Sequence, residues 1–251
     1  VGEQKWSRWR VLHLIRGIIS PIAAIITALL IGALILFAAT YDPVIAYQAM
    51  FEGAFKDFRA FTEVLLMATP LILIASGLAI AFRCGMWNIG AEGQFYAGAV
   101  TSTGIVLIPL VLVGGTVSGA LWGMIAGYLK NQFGANEVVT TIMLNYIAII
   151  GTSYLVTGPL IEEAGKFPQT AQISQAAWLP RFLPPTRLHI GFLIALVVAG
   201  LLYLVIFKSS LGYGIRAVGI NPDAARFAGI DVKKNVLLAM GISGAAAGLG
   251  G

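Results

Sequence analysis

The sequence predicts an all-α, polytopic transmembrane helical bundle, and three observations predict it. Of 251 residues, 58% are hydrophobic and only 11% are charged, against roughly 25% charged in an ordinary soluble domain. Several uncharged runs reach the roughly 20 apolar residues that a helix needs to cross a hydrocarbon core. Those runs lack the two-residue alternation of a barrel strand, and an open strand cannot cross lipid with its backbone groups unpaired, so the spans are helices. Two features interrupt this body: a polar, glycine-bearing break at residues 83–94, RCGMWNIGAEGQ, and a basic segment at 208–234.

Taken in order, residues 1–16 carry Lys5, Arg8, Arg10 and Arg16 with Trp6 and Trp9, a basic, aromatic lead-in. The uncharged run 17–41 follows; it lacks a convincing small-residue cleavage site and is expected to be a retained first span rather than a signal peptide. Pro21 sits in its first turn, where a missing N–H is tolerated. Residues 42–61 space Tyr47, Phe51, Phe55 and Phe58 on one helical face among charges, the pattern of an interfacial helix; a loop with a few aromatics is the alternative. The second span, 64–82, contains Pro70, expected to kink or break it.

After Glu92 comes an uncharged run of 37 residues, 93–129. As helix it measures roughly 55 Å, short of two crossings of roughly 30 Å each, even before a turn at Gly114 and Gly115 is allowed for. Unless one crossing is incomplete, residues 88–92 are drawn into the membrane. Past that turn, Gly115, Gly119, Gly123 and Gly127 recur every fourth residue and form a bare ridge on which another helix backbone can pack closely. A short polar turn, 130–137, leads to a span at 138–161 that holds Thr140, Thr141, Asn145 and Tyr146 in its first half. A proline-bearing connection occupies 158–187, a further span 188–207, and a basic loop, 208–234, precedes a last apolar run. The chain begins at Val1 rather than Met and stops at Gly251 inside that run, so residues 1–251 are expected to be a single transmembrane domain, incomplete at the C-terminal end.

Charge sets the expected orientation. Placing the N-terminus, Arg83, Lys130 and 208–234 on one side collects 11 of the 16 Lys and Arg there, which makes that side cytoplasmic. The formal net charge of +5 therefore does not call for a nucleic acid partner. The sole cysteine, Cys84, excludes an intrachain disulfide and argues against a cysteine-built metal site.

Enzyme signatures are absent: no G-x-x-x-x-G-K-[ST], no H-E-x-x-H, no G-x-S-x-G, and His13 and His189 lie far apart at span ends. No catalytic residue, metal ligand or cofactor is expected, and uphill transport would draw on an ion gradient or a separate subunit. Within 208–234, Asn221 can cap a helix, Pro222 suits its first position, residues 224–228 can form its body, and Gly229 can end it. The break at 83–94 admits two readings. Asn88, Glu92 and Gln94, with freed backbone groups, could line a substrate path, because irregular backbone at membrane depth needs protein or a water-filled cavity to satisfy it. Equally, the stretch could be a structural elbow, with Glu92 favoured at the N-terminus of the following helix.

Three motifs carry a resemblance: NIGAEGQ at 88–94, EVVTTIMLNYIA at 137–148 and RAVGINPDAARFAGI at 216–230. In this order and spacing they resemble the permease subunits of bacterial ABC importers for nucleosides and simple sugars, the branch served by basic membrane protein type binding lipoproteins. The resemblance implies a multi-pass permease of the bacterial inner membrane with a cytoplasmic N-terminus and a second permease subunit as homo- or heterodimer. It also implies two cytoplasmic ATPase subunits and an external lipoprotein that delivers substrate. It further implies that Asn221, Pro222, Ala224, Ala225, Ala228 and Gly229 belong to a coupling helix seated on the ATPase, with small side chains because bulky ones would hold the two backbones apart. Asn88, Glu92, Gln94 and Asn145 are the candidate path residues. An ion-coupled secondary transporter is the alternative, but its spans would need coupling-ion residues, and here they hold almost none apart from Glu92. A membrane scaffold would explain the glycine ridge and leave the two interruptions without a purpose.

Overall fold

The computed structural model describes residues 2–162 and 167–251, with the side chains of the first helix described from Ile19 onward. The basic, aromatic lead-in of residues 1–16 thus lies outside the described side chains. Every regular element among the described residues is helical, apart from two isolated β-bridges, Ile161 to Thr170 and Arg181 to His189. Among the described residues, five helices are long and apolar enough to cross a membrane. The protein is a multi-pass helical membrane protein.

Two compact units divide the chain near residue 61. The first holds α1, Gly2–Ala38, whose stretch Ile19–Ala38 has a mean hydropathy of 2.6. Thr40 turns the chain at φ 65°, and Asp42 caps α2, Pro43–Phe55, by accepting from the Val44 N–H at 2.8 Å. No residue of α2 is buried. The helix returns along α1, where the Tyr47 hydroxyl donates to the Leu29 carbonyl at 2.6 Å. Phe58, expected on the aromatic face of α2, instead opens α3, because the Asp57 carboxylate caps a new helix by accepting from the Ala60 N–H at 2.7 Å.

The second unit is the helical body. Helix α3, Phe58–Arg83, runs through Pro70 without a break. After the irregular residues 84–90, α4, Ala91–Ser102, has only 12 residues, about 18 Å of rise and too little for a full crossing. The expected turn at Gly114 and Gly115 is displaced: the chain turns at residues 103–107, with Gly104 at φ 84°. Both glycines then lie inside α5, Ile108–Phe133, where Gly115 is buried against a neighbour. Asn136 caps α6, Glu137–Thr157, and Lys130 closes the intervening turn by pairing with Glu137 at 2.8 Å. A single 3-10 turn, Gln175–Ala177, lies in the long connection before α7, Gly191–Lys208.

The basic segment is more ordered than its composition suggests. It contains α8, Ser210–Ile220, capped by Ser209, then α9, Pro222–Phe227, and the start of α10, Val232–Gly250. The sequence reading of this segment did not anticipate α8, whose Gly212, Gly214 and Gly219 are poor helix formers. Tertiary contact explains two of them: Gly214 faces the Asn235 side chain and Gly219 faces the backbone of residues 83–84. Helix α10 is central, with Val236, Ala239, Met240, Ser243, Ala246 and Ala247 among its buried residues.

The glycine ridge of α5 meets a matching row on α10. Gly115, Gly119, Gly123 and Gly127 are all buried, and they face Met240, Gly244 and Gly248 in antiparallel order. A methyl group added at Gly115 would stand 2.7 Å from the Gly248 carbonyl oxygen, and one at Gly123 2.6 Å from that of Met240. Backbone thus meets backbone, the close approach that small residues allow inside lipid.

Candidate functional site

The break between α3 and α4 is built from the end of one helix and the start of another. Gly85 takes φ 76°, which lets the Met86 N–H return to the Ala81 carbonyl at 3.0 Å and close α3. Asn88 then organises the turn. Its Oδ1 accepts from the Gly90 N–H at 3.0 Å and from Gln94 Nε2 at 3.1 Å, while its Nδ2 donates to Gln94 Oε1 at 3.0 Å and to Ser243 Oγ on α10 at 2.9 Å. Two donors and two acceptor sites are all that an asparagine amide has. Asn88 therefore uses every one of them inside the protein, and both it and Gln94 are 2% exposed.

Helix α6 clamps the same turn from the other side. The Ile89 N–H donates to Thr141 Oγ1 at 3.2 Å, the Asn145 Nδ2 donates to the Ile89 carbonyl at 2.8 Å, and the Gly93 N–H donates to Asn145 Oδ1 at 2.7 Å. Thr141 and Asn145 reach one target because residues four apart share a helix face. Backbone groups freed by the break are thereby satisfied by side chains, as burial requires.

This network lies deep between the helix ends. Gln94 packs beside Gly123, which is ten residues from the C-terminal end of α5, Phe133, or about 15 Å along the axis. Ser243 is eleven residues into α10, about 16 Å from its start. Glu92 differs from its neighbours: it is exposed in the first turn of α4 and has no hydrogen-bond or ion-pair partner among the described residues. Trp87 is also exposed and packs on Phe82 with ring centroids 5.5 Å apart. The structure thus brings Asn88, Gln94 and Asn145 into one network and leaves Glu92 outside it. Sequence reasoning missed Ser243, although it is the lone hydroxyl in the apolar run after Asn235.

The tip at 221–231 uses the same local chemistry toward a different end. Asn221 Oδ1 accepts from the Asp223 and Ala224 N–H groups, each at 3.0 Å, with Pro222 in the first turn. Gly229 at φ 80° lets the Ile230 N–H return to the Ala225 carbonyl at 2.9 Å. Ala225 turns inward and joins the core at 4% exposure, whereas Ala224 and Ala228 are exposed. The largest outward groups are Ile220 at 87% and Phe227 at 94% exposure. Neither was singled out from the sequence, where Phe227 read only as helix body; its signal was a large ring in an otherwise small, polar helix.

No metal-binding cluster of His, Cys, Asp and Glu occurs among the described residues. The Cys84 thiol is buried. In the connection before α7, burial holds His189 below the usual imidazole range, and its Nδ1 accepts from the Gly191 N–H at 3.1 Å.

Residues 60–251 match the family described as branched-chain amino acid transport system / permease component. The chain is 37% identical over 243 residues to a guanosine ABC transporter permease protein of Bacillus subtilis, covering 92% of this chain and 70% of the relative. It is 36% identical over 254 residues to a nucleoside ABC transporter permease protein of Lactococcus lactis, covering 94% and 70%. Identity to a glucose ABC transporter permease protein of Haloferax volcanii is 35% over 251 residues, covering 92% of this chain and 66% of the relative. No solved structure matches the chain. With its helical body, its buried break and these likenesses, the chain belongs to the branched-chain amino acid transport system permease family and is a membrane-spanning permease subunit of an ABC importer.

Proposed function

We propose that this permease carries nucleosides across the bacterial inner membrane, driven by ATPase subunits that dock on the tip at 221–231. The observation that carries the reading is the exposure of Ile220, the last residue of α8, and Phe227, the last residue of the capped helix α9, 87% and 94%, both outside the apolar spans. Large apolar groups held in water by a well-formed helix are the usual anchor of a protein interface. Asn221, Pro222, Ala224, Ala228 and Gly229 shape and present the helix, while Ala225 fastens it to the core. The chain itself performs no catalysis; ATP hydrolysis belongs to the partner, whose movement reaches the spans through α8 and α10.

A second permease subunit completes the path, an external lipoprotein delivers the substrate, and the N-terminus is cytoplasmic. The relatives from Bacillus and Lactococcus, named for guanosine and nucleosides, support the substrate class. A simple sugar is the second reading, favoured by the glucose relative from Haloferax. Within the break, full hydrogen bonding of Asn88 supports a structural role for Asn88, Gln94 and Asn145. Glu92, exposed and unpartnered, is the group free to meet a polar solute or the second subunit.

The test is reconstitution with the ATPase and binding lipoprotein encoded beside the gene, followed by uptake of labelled guanosine and glucose. Guanosine uptake that requires ATP and is lost in Phe227→Glu, together with ATPase co-purification, is the expected result. Uptake without the ATPase and abolished by an uncoupler would overturn the reading.

A further inference from the structure

Two guanidinium groups lie against one ring where the apolar helices end. Arg83, the last residue of α3, has its Cζ 5.2 Å from the centroid of the Phe207 ring, and Arg216 of α8 has its Cζ 5.6 Å from the same centroid. Tyr203 packs on Phe207 at 4.9 Å. Neither arginine has a carboxylate partner among the described residues: the ion pairs there join Lys130 to Glu137, Arg187 to Glu63 and Arg226 to Asp223. Arg216 bonds only weakly to the Gly212 carbonyl, at 3.4 Å through Nε, which leaves its terminal nitrogens free. Two like charges held around one ring without a counter-ion repel one another, and an anion bound beside them lowers that cost.

The surroundings identify the anion. On α7, Val197, Leu201 and Leu204 are 60%, 56% and 52% exposed and recur at four and three residues, so they form one outward apolar stripe. Continued by one turn, that stripe reaches Lys208, the end of a span of mean hydropathy 2.4. Tyr203 and Phe207 occupy the last turns, the level at which aromatic side chains meet lipid headgroups. A molecule that fits has an apolar tail to lie along the stripe and a phosphate to sit at the two guanidiniums, which suit phosphate oxygens better than lysine does. We propose that Arg83 and Arg216, held by Phe207, form a binding site for the headgroup of an anionic phospholipid. The ring fixes both cations, so the site joins the ends of α3, α7 and α8 to the leaflet beside the tip.

The test measures lipid retained by the full chain after equilibration with phosphatidylcholine vesicles containing phosphatidylglycerol, read by mass spectrometry of the washed protein. Wild type is expected to enrich phosphatidylglycerol, and each Arg→Gln change to lower the enrichment about fivefold. Arg83→Gln, at an exposed helix end, and the Arg83→Gln/Arg216→Gln pair are both read; Arg83→Lys/Arg216→Lys keeps part of the enrichment. Arg181→Gln/Arg187→Gln, in the external connection, leaves it unchanged. Equal retention of the two lipids by wild type overturns the proposal, as does unchanged enrichment in Arg83→Gln and the double variant. Loss of ATPase co-purification in the double variant with lipid enrichment intact also overturns it and assigns the arginines to a protein partner.

Discussion

At residues 84–90 the chain leaves α3 through Gly85 at φ 76°, and at 228–231 it leaves α9 through Gly229 at φ 80°. In each place the N–H of the residue after the glycine, Met86 or Ile230, returns to a carbonyl five residues earlier, and an asparagine caps a nearby backbone turn. The side chains then point in opposite senses. Asn88 and Gln94 turn inward and saturate each other, Gly90 and Ser243, whereas Ile220 and Phe227 turn outward and are exposed. Inward polar groups in an apolar body hold a conformation, because leaving any of them unpaired is costly. Outward apolar groups on a polar tip contribute little to folding and await a surface that covers them. On the function proposed above, the same backbone device serves as a joint in one region and as a handle in the other.

The comparison breaks most readily on the side of the joint. Gly119→Leu forces a branched side chain into the backbone of α10, where no flexible atom can give way, and should exceed the ~1–3 kcal/mol of ordinary overpacking. The expected outcome is loss of monodisperse protein in size-exclusion chromatography. Asn88→Ala comes next: it strands the buried Gln94 amide, the Gly90 N–H and the Ser243 hydroxyl at ~1–3 kcal/mol for each group left unpaired. A lowered midpoint in thermal unfolding, with Ser243→Ala showing a smaller drop, checks it.

The handle should respond in the opposite way. Phe227→Ser is expected to leave thermal stability within ~0.5 kcal/mol of wild type while ATPase co-purification and uptake are lost. An equal loss of stability and association would erase the distinction between the two regions. Ala225→Glu is a poorer probe of the interface, since Ala225 is buried in the core and a carboxylate there would unfold the tip. Glu92 tests a middle case, in the joint but not of it. Both Glu92→Gln and Glu92→Leu should fold, and a fall in uptake in both would assign the charge to the path; failure of Glu92→Leu to assemble would return Glu92 to the joint.

The smallest effect concerns pH. His189 is held below the usual imidazole range by burial, so the folded state favours the neutral ring. Stability from this group is present above the unfolded pKa of about 6.5 and declines as pH falls through that value toward the folded one. Mild acidification should therefore loosen the connection around Gly191, raising hydrogen exchange there, and His189→Gln should abolish that dependence.

Much of the body was legible because its signals are local. The apolar runs predicted the spans, Asn221, Pro222 and Gly229 predicted a capped helix, and the shortage of residues in 93–129 predicted either an incomplete crossing or a buried break. In the structure α4 is the incomplete crossing, and the break is nevertheless enclosed by α6 and α10. The turn at 103–107 was missed because Gly114 and Gly115 carry the stronger local turn signal, yet their small size serves packing against α10.

By itself the sequence determined the all-α membrane class, the cap at Asn221, the four-residue glycine period and the motifs that place the chain among permeases. All of these depend on composition or on residues within a few turns of one another. Only the tertiary structure decided which way each marked residue faces. Asn88 meets Ser243 across 155 residues of chain and Gly93 meets Asn145 across 52, and no local pattern encodes such pairings. The first arises because the glycine ridge of α5 brings α10 close enough for one hydroxyl to reach the break, the second because α6 packs against the start of α4; together they draw Asn88, Gln94 and Asn145 into one hydrogen-bonded network and leave Glu92, Ile220 and Phe227 to face outward.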